Sequence, residues 1–251
     1  MANIYNIYGE AIDISIETDK TLNKEGYAAD AKTVGDKITV MNNHFTLDNH
    51  SWSVMGDSIS SDNAYVNKQY WDFISERYSN MEIYNYGISA QRISHFTARY
   101  QNMHYSDIIT VFGGVNDWGQ TDPTPMGEIS DDTTSTFYGS LNILCNGLVT
   151  TFPKSLLMFI TPLGGNGFNA FPADKNSLGL DVYDYAEAIK IVCSKFKIPV
   201  VDACSNSLLN PQIPALKSLY FHDGLHLNIL GHQVLSRMIE AELLSHYIPS
   251  I

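Results

Sequence analysis

The chain has 251 residues, of which 44% are hydrophobic and 17% charged, a balance suited to a folded core rather than to disorder. Its formal charge of −12 disfavours nonspecific attraction to nucleic acid or to an anionic bilayer. No run of about 18 apolar residues occurs, so no segment reads as spanning a membrane. The N-terminus "MANIYNIYGEAIDISIE" lacks the basic-then-apolar pattern of a signal peptide, and the chain is expected in the cytoplasm as produced. Cys145, Cys193 and Cys204 are odd in number, scattered and set in apolar context, so they read as small core residues rather than as a disulfide framework or metal ligands.

Residues 1–50 follow a different pattern from the rest. Ile12, Ile14 and Ile16 alternate with polar residues, as a half-buried strand requires. Ala31, Val34, Ile38, Met41 and Phe45 then recur at steps of three and four, a heptad stripe about two heptads long. Such a helix either packs on its own domain or drives self-association. The stretch "GYAADAKTVGDKI" resembles a short segment of tail and receptor-binding proteins from phages and prophages of Gram-positive bacteria. That resemblance implies a stalk, a homo-oligomer (a trimer) formed through residues 28–45, and association with a virion or prophage.

From residue 51 the pattern becomes strand, loop, helix, repeated. "SWSVMG" is the first strand, with a helix expected over about 62–79. "MEIYNYG" precedes a helix near 91–101, and "DIITVFGG" precedes a long polar loop. A helix over about 132–149 leads to the strand "SLLMFITP", then the amphipathic helix "DVYDYAEAIKIVCSKFK" and the strand "IPVVDAC". "NILGHQVLSRMIEAELLSHY" closes the chain as a helix. Strands that are near-continuous apolar runs suit a parallel sheet covered on both faces. Their alternation with helices gives a doubly wound α/β layer over 51–251, with 1–50 as a small strand-helix appendage. In such a sheet, functional residues gather at the carboxyl ends of the strands.

Four segments meet that condition. The first strand ends in Gly56-Asp57-Ser58, the second in Gly87, and the third in Gly114 with Asn116 and Asp117. The loop before the last helix holds Asp223 and His226. A serine hydroxyl needs an adjacent base to act as a nucleophile, and His226 is the candidate. Asp223, three residues earlier, can fold back to accept Nδ1–H and fix the tautomer that turns Nε2 to Ser58. Acyl transfer also develops an oxyanion, for which the Ser58 and Gly87 backbone N–H groups and the Asn116 side-chain amide are the expected donors. Ser58 also suits a helix N-cap, so it can open the following helix, whose N-terminus favours negative charge.

"MGDSIS", "NYGISA", "GGVND" and "DGLHLN" resemble the four sequence blocks of the SGNH (GDSL) hydrolase superfamily, in family order across about residues 51–247. The resemblance implies a three-layer α/β/α, flavodoxin-like fold with a five-stranded parallel sheet. It implies ester hydrolysis without metal or organic cofactor, with Ser58 as nucleophile, Asp223 and His226 completing the triad, and Gly87 and Asn116 in the oxyanion hole. Asp57 and Asp117 read as loop-holding residues, and His222 as a loop residue adjoining the triad. Trp118 is either a ring for sugar stacking or packing beneath the loop; with Asp57 and His222 it makes up the candidates for substrate contact. His44, His50, His95, His104, His232 and His246 have no partners at metal-ligand spacing and read as solvated or hydrogen-bonded structural residues.

The loops 118–134 and 162–180 follow the third and fourth strands and are polar and glycine-rich with a few aromatics. They favour a small acyl ester, such as acetyl, on a carbohydrate. The alternatives are a lipase, lysophospholipase or thioesterase of the same superfamily, and a non-catalytic glycan-binding module of a phage tail.

Overall fold

The computed structural model of the protein describes residues 46–62 and 65–246, with isolated pieces at 4–5, 11–12, 18–19, 28–29, 32 and 34. The chain divides into two compact units, Met1–Thr46 and Leu47–Ile251. In the first, Ile4–Tyr5 pairs antiparallel with Ala11–Ile12, and Thr18–Asp19 pairs parallel with Ala28–Ala29. Ile14, Ile16 and the heptad stripe from Ala31 to Phe45, apart from helical Lys32 and Val34, lie outside the described residues, as does the expected oligomerisation surface. Residues 47–50, grouped with the appendage in the sequence reading, belong to the second unit. Leu47 is fully buried there, Asn49 N–H donates to Ser79 O, and Glu82 N–H donates to His50 O.

In the second unit, five parallel strands form one sheet: β1 (Ser51–Gly56), β2 (Glu82–Gly87), β3 (Ile108–Phe112), β4 (Leu156–Ile160) and β5 (Val200–Val201). Their spatial order is β2-β1-β3-β4-β5. The order reverses at β1, so the crevice beyond its carboxyl end is where this topology places ligands. Alternation along each strand divides the core between two layers. Ile108 and Phe112 of β3, with Trp52 and Val54 of β1 and Met158 and Ile160 of β4, pack toward one cluster. Ile109, Val111, Met55, Leu157 and Phe159 pack toward the other. Helices α1 (Tyr70–Ser75) and α7 (Ile229–Leu244) cover the first face through Tyr70, Ile74, Leu235, Ile239 and Leu243. Helices α2 (Ile93–Thr97), α4 (Phe137–Thr151) and α5 (Val182–Phe196) cover the second. Two shorter helices, α3 (Val115–Gly119) and α6 (Pro214–Tyr220), stand in segments that sequence periodicity reads as loop. The three cysteines are buried.

The segment after β1 departs from expectation. A helix from about residue 62 is absent over the described residues up to Gln69. The chain makes one tight turn, in which Ser60 and Ser61 N–H both donate to Asp57 O, and α1 starts only at Tyr70. There the Asp72 carboxylate accepts the Gln69 N–H and fixes the helix start. Ser58 is therefore not the N-cap of a helix among the described residues, and the expected dipole of a helix opening at Ser58 is missing.

Candidate active site

The turn that presents Ser58 is held from inside. Asp57 is buried, and its Oδ1 accepts the Ile59 N–H at 3.0 Å. Burial pushes the Asp57 carboxyl up to about 7, with the Ile59 bond opposing and the neighbouring Asp117 adding to the rise. Asp117 is raised to about 6, again mainly by burial. It accepts the Ile93 N–H and the Thr124 hydroxyl, so it binds α2 and the loop after α3 to the site. Both carboxylates hold loops, as the sequence suggests for them. Asp57, at 1% exposure, is not a substrate contact.

His226 reaches the same edge from the other end of the chain. The Phe221–Leu227 bridge and the His222 N–H to His226 O bond close residues 222–226 into a tight loop. Gly224 has φ +95, and a Cβ there would lie 2.4 Å from the Gly167 backbone, so only glycine fits. Within the loop, Asp223 Oδ1 accepts the Leu225 and His226 N–H groups at 2.9 and 2.8 Å. Asp223 Oδ2 lies 2.7 Å from His226 Nδ1, and His226 Nε2 lies 2.9 Å from Ser58 Oγ. With the proton on Nδ1, Nε2 is the acceptor for the Ser58 hydroxyl. Partial burial pushes the Asp223 carboxyl up, but hydrogen bonds from the His226 ring and from the two N–H groups prevail and hold it below the usual range. An ionised Asp223 is therefore set against an imidazole that can accept a proton. The arrangement is equipped for proton removal from serine followed by nucleophilic attack.

The expected oxyanion donors are only partly where the sequence places them. Asn116 is buried on α3, and its Nδ2 donates to Gln91 O at 3.0 Å and more loosely to Asp57 Oδ2 at 3.3 Å. Gln120 Nε2 donates to Asn116 Oδ1 and turns the amide nitrogen toward the Ser58 turn. Gly87 differs from expectation: its N–H donates to Asn85 Oδ1 at 2.9 Å. Glycine is needed there for close approach, since a Cβ would lie 2.4 Å from the Ser61 N atom. Gly87→Ala should therefore displace the Ser58 turn and lower the melting temperature by roughly 5–10 °C, measured by thermal denaturation.

Three residues on, Ala90 adopts φ +64, a left-handed conformation unusual for alanine. Its neighbours span the site, with Ser89 Oγ 3.4 Å from Ser61 Oγ and Gln91 O receiving Asn116. The Ala90 carbonyl accepts from Gln120, whereas its N–H has no acceptor among the described residues. The sequence reading placed the donor at the glycine of the strand tip and did not consider Ala90, the loop residue beyond it.

Trp118 cannot stack a sugar. It is 1% exposed, donates Nε1–H to Leu180 O and packs edge-on against Phe171. The rings beside the site are others: Tyr65 stacks on the His226 imidazole with centroids 4.4 Å apart, and Phe168 meets it edge-on at 6.0 Å. His222 is exposed, with Tyr65 tilted against it at 5.1 Å. His232 is neither solvated nor satisfied: it is buried against Tyr70, its Nδ1 has no partner among the described residues, and burial pushes its ring down to about 3.

A sequence model described as the GDSL-like lipase/acylhydrolase family matches residues 54–234. The chain belongs to this family. Membership and fold together make it an ester hydrolase of the SGNH type. A solved protein from Lactobacillus plantarum is 32% identical with TM-score 0.74, covering 80% of this chain and 99% of its own. A possible lipase from Chitinophaga pinensis is 22% identical with TM-score 0.64, covering 78% and 98%. Axe2, an acetylxylan esterase from Geobacillus stearothermophilus, is 15% identical with TM-score 0.56, covering 82% and 99%; at that identity the likeness is one of fold. No curated protein matches the chain.

Proposed function

We propose that this hydrolase cleaves small acyl esters, acetyl foremost, from a carbohydrate by Ser-His-Asp catalysis through an acyl-enzyme. The observation that carries the reading is the continuous relay from Ser58 Oγ to His226 Nε2 at 2.9 Å and from His226 Nδ1 to Asp223 at 2.7 Å. His226 takes the Ser58 proton as Oγ bonds to the ester carbonyl carbon, and the carbonyl electron pair moves to oxygen. Collapse expels the alcohol, which leaves with the proton from His226, and water repeats the sequence to release the acid. The oxyanion is met by the Asn116 amide, the Ser58 N–H and the Ala90 N–H, which here takes the part that the sequence gives to Gly87.

Asn116 can turn one N–H to the oxyanion by giving up its long 3.3 Å contact with Asp57. Asn116→Ala should lower kcat by about 10²–10³-fold with little change in KM, because that bond is strongest in the transition state.

The acyl and alcohol preferences rest on the site's rim. The 162–180 loop reaches His226 through Phe168, and Gly167 N–H bonds to Gly224 O. Of the loop's polar residues, Asn166 and Asn176 are spent on its own backbone and on neighbouring segments. Phe168 and the exposed Tyr65 thus present aromatic surface beside His226, which suits a sugar ring on the alcohol side. The fold accommodates such chemistry in Axe2. A panel of acetyl, butyryl and longer p-nitrophenyl esters beside acetylated polysaccharides tests the preference. Acetate release from the polysaccharides supports it; cleavage of long-chain esters with no acetate release moves the assignment to a lipase.

A further inference from the structure

We propose that Tyr65 is a positioning residue for this hydrolysis, its ring face stabilising the imidazolium that His226 becomes when it takes the Ser58 proton. The inference rests on the proposed role of His226. Two observations and the charge distribution of an aromatic ring carry it. The Tyr65 and His226 rings are stacked, 4.4 Å between centroids and 22° between planes, so the imidazole lies over the aromatic face and not its edge. That face carries the negative part of the ring quadrupole, and 4.4 Å is well inside the range over which a cation is attracted to it. Tyr65 is also 43% exposed, so its hold on His226 is not required for filling the core.

The other groups around the imidazole do not duplicate this contact. Asp223 and Ser58 bond its two nitrogens in the ring plane. Phe168 meets it at 80°, in an edge-on geometry. His222, on the same loop, is tilted against the Tyr65 ring. From α7, the buried His232 is held neutral and is sensitive to charge on His226. From α6, Lys217 Nζ donates to Gly167 O, beside Phe168. Tyr65 alone among the described residues stacks on the imidazole, its plane within 22° of the imidazole plane.

Two effects of Tyr65 oppose each other. Covering the imidazole excludes water and disfavours its charged form, while the ring face favours it. Tyr65→Leu separates them, because leucine keeps an apolar cover and removes the quadrupole. Tyr65→Phe keeps the face, and Tyr65→Trp strengthens it.

The test is the pH profile of kcat/KM for p-nitrophenyl acetate in these variants, together with the midpoint at which the His226 ring titrates by NMR. The ring signal is assigned by its loss in His226→Gln. In Tyr65→Leu the acid limb and the ring midpoint should both fall by about half a pH unit, with kcat/KM lowered about two- to five-fold. Tyr65→Phe and Tyr65→Trp, which keep a ring face, should hold the ring midpoint above that of Tyr65→Leu. A midpoint in Tyr65→Leu equal to or higher than that of the wild type overturns the proposal. The NMR reading needs no turnover, so a wild type inactive on every ester would defeat the catalytic assignment while the midpoints still decide the role of Tyr65.

Discussion

Replacing Ser58 with alanine is expected to lower hydrolysis of p-nitrophenyl acetate by about 10⁴–10⁶-fold in kcat, while leaving the melting temperature close to that of the wild type. The size follows from the relay. With Oγ gone, His226 Nε2 loses the acceptor-donor contact at 2.9 Å, and no other hydroxyl bonded to His226 is described. The oxyanion donors remain, which accounts for a residual rate above that in water. The fold should change little, because Asp57 holds the Ser58 turn through the Ile59, Ser60 and Ser61 N–H groups. Rates are compared after subtraction of spontaneous hydrolysis; equal rates for the two proteins would remove Ser58 from the mechanism.

Asp223→Asn is expected to cost about 10⁴-fold in kcat with KM little changed. Three bonds converge on the Asp223 carboxylate, two from backbone N–H groups through Oδ1 and one from the His226 ring through Oδ2. An asparagine can keep its carbonyl oxygen on the backbone donors and so preserve the loop. Its amide nitrogen then faces Nδ1 as a donor, which drives the imidazole proton to Nε2, where it points at Ser58 and prevents proton transfer. The variant also lacks the negative charge that balances the imidazolium. Because its hydrogen bonds hold Asp223 below the usual carboxylate range, it stays ionised through neutral pH. Loss of activity in wild type on mild acidification should therefore not follow this carboxylate. Steady-state kinetics of the variant check this; a fall of less than tenfold would make Asp223 a structural residue only.

The sheet was legible chiefly from β3 and β4, whose apolar runs "IITVF" and "LLMFI" face alternate layers. Helices α4, α5 and α7 were legible because they are long and begin at side-chain caps: Thr136, Asp181 and Asn228. The error after β1 has a local cause. Ser58 suits a helix N-cap by type, but Asp57 closes a single turn around it instead, and the helix waits for Gln69 and Asp72. In the proposed mechanism Ser58, Asp223, His226 and Asn116 act through particular functional groups, which a sequence displays. Ala90 is given a role there through its backbone N–H, and its left-handed φ is a property of the folded loop. Of the two readings of Trp118 the packed one holds, because sequence adjacency to Asn116 does not tell which side of α3 the indole faces; the stacking of Tyr65 on His226 is a tertiary event with no sequence signal.

In this mechanism Ser58 becomes covalently acylated during turnover. Rapid acid quench of the enzyme with p-nitrophenyl acetate, followed by peptide mass spectrometry, tests it directly. The expected result is a gain of one acetyl group on the peptide bearing Ser58, formed within the burst of nitrophenol and absent in Ser58→Ala. Turnover with no acetyl group on Ser58, or with the label on another residue, would contradict the account.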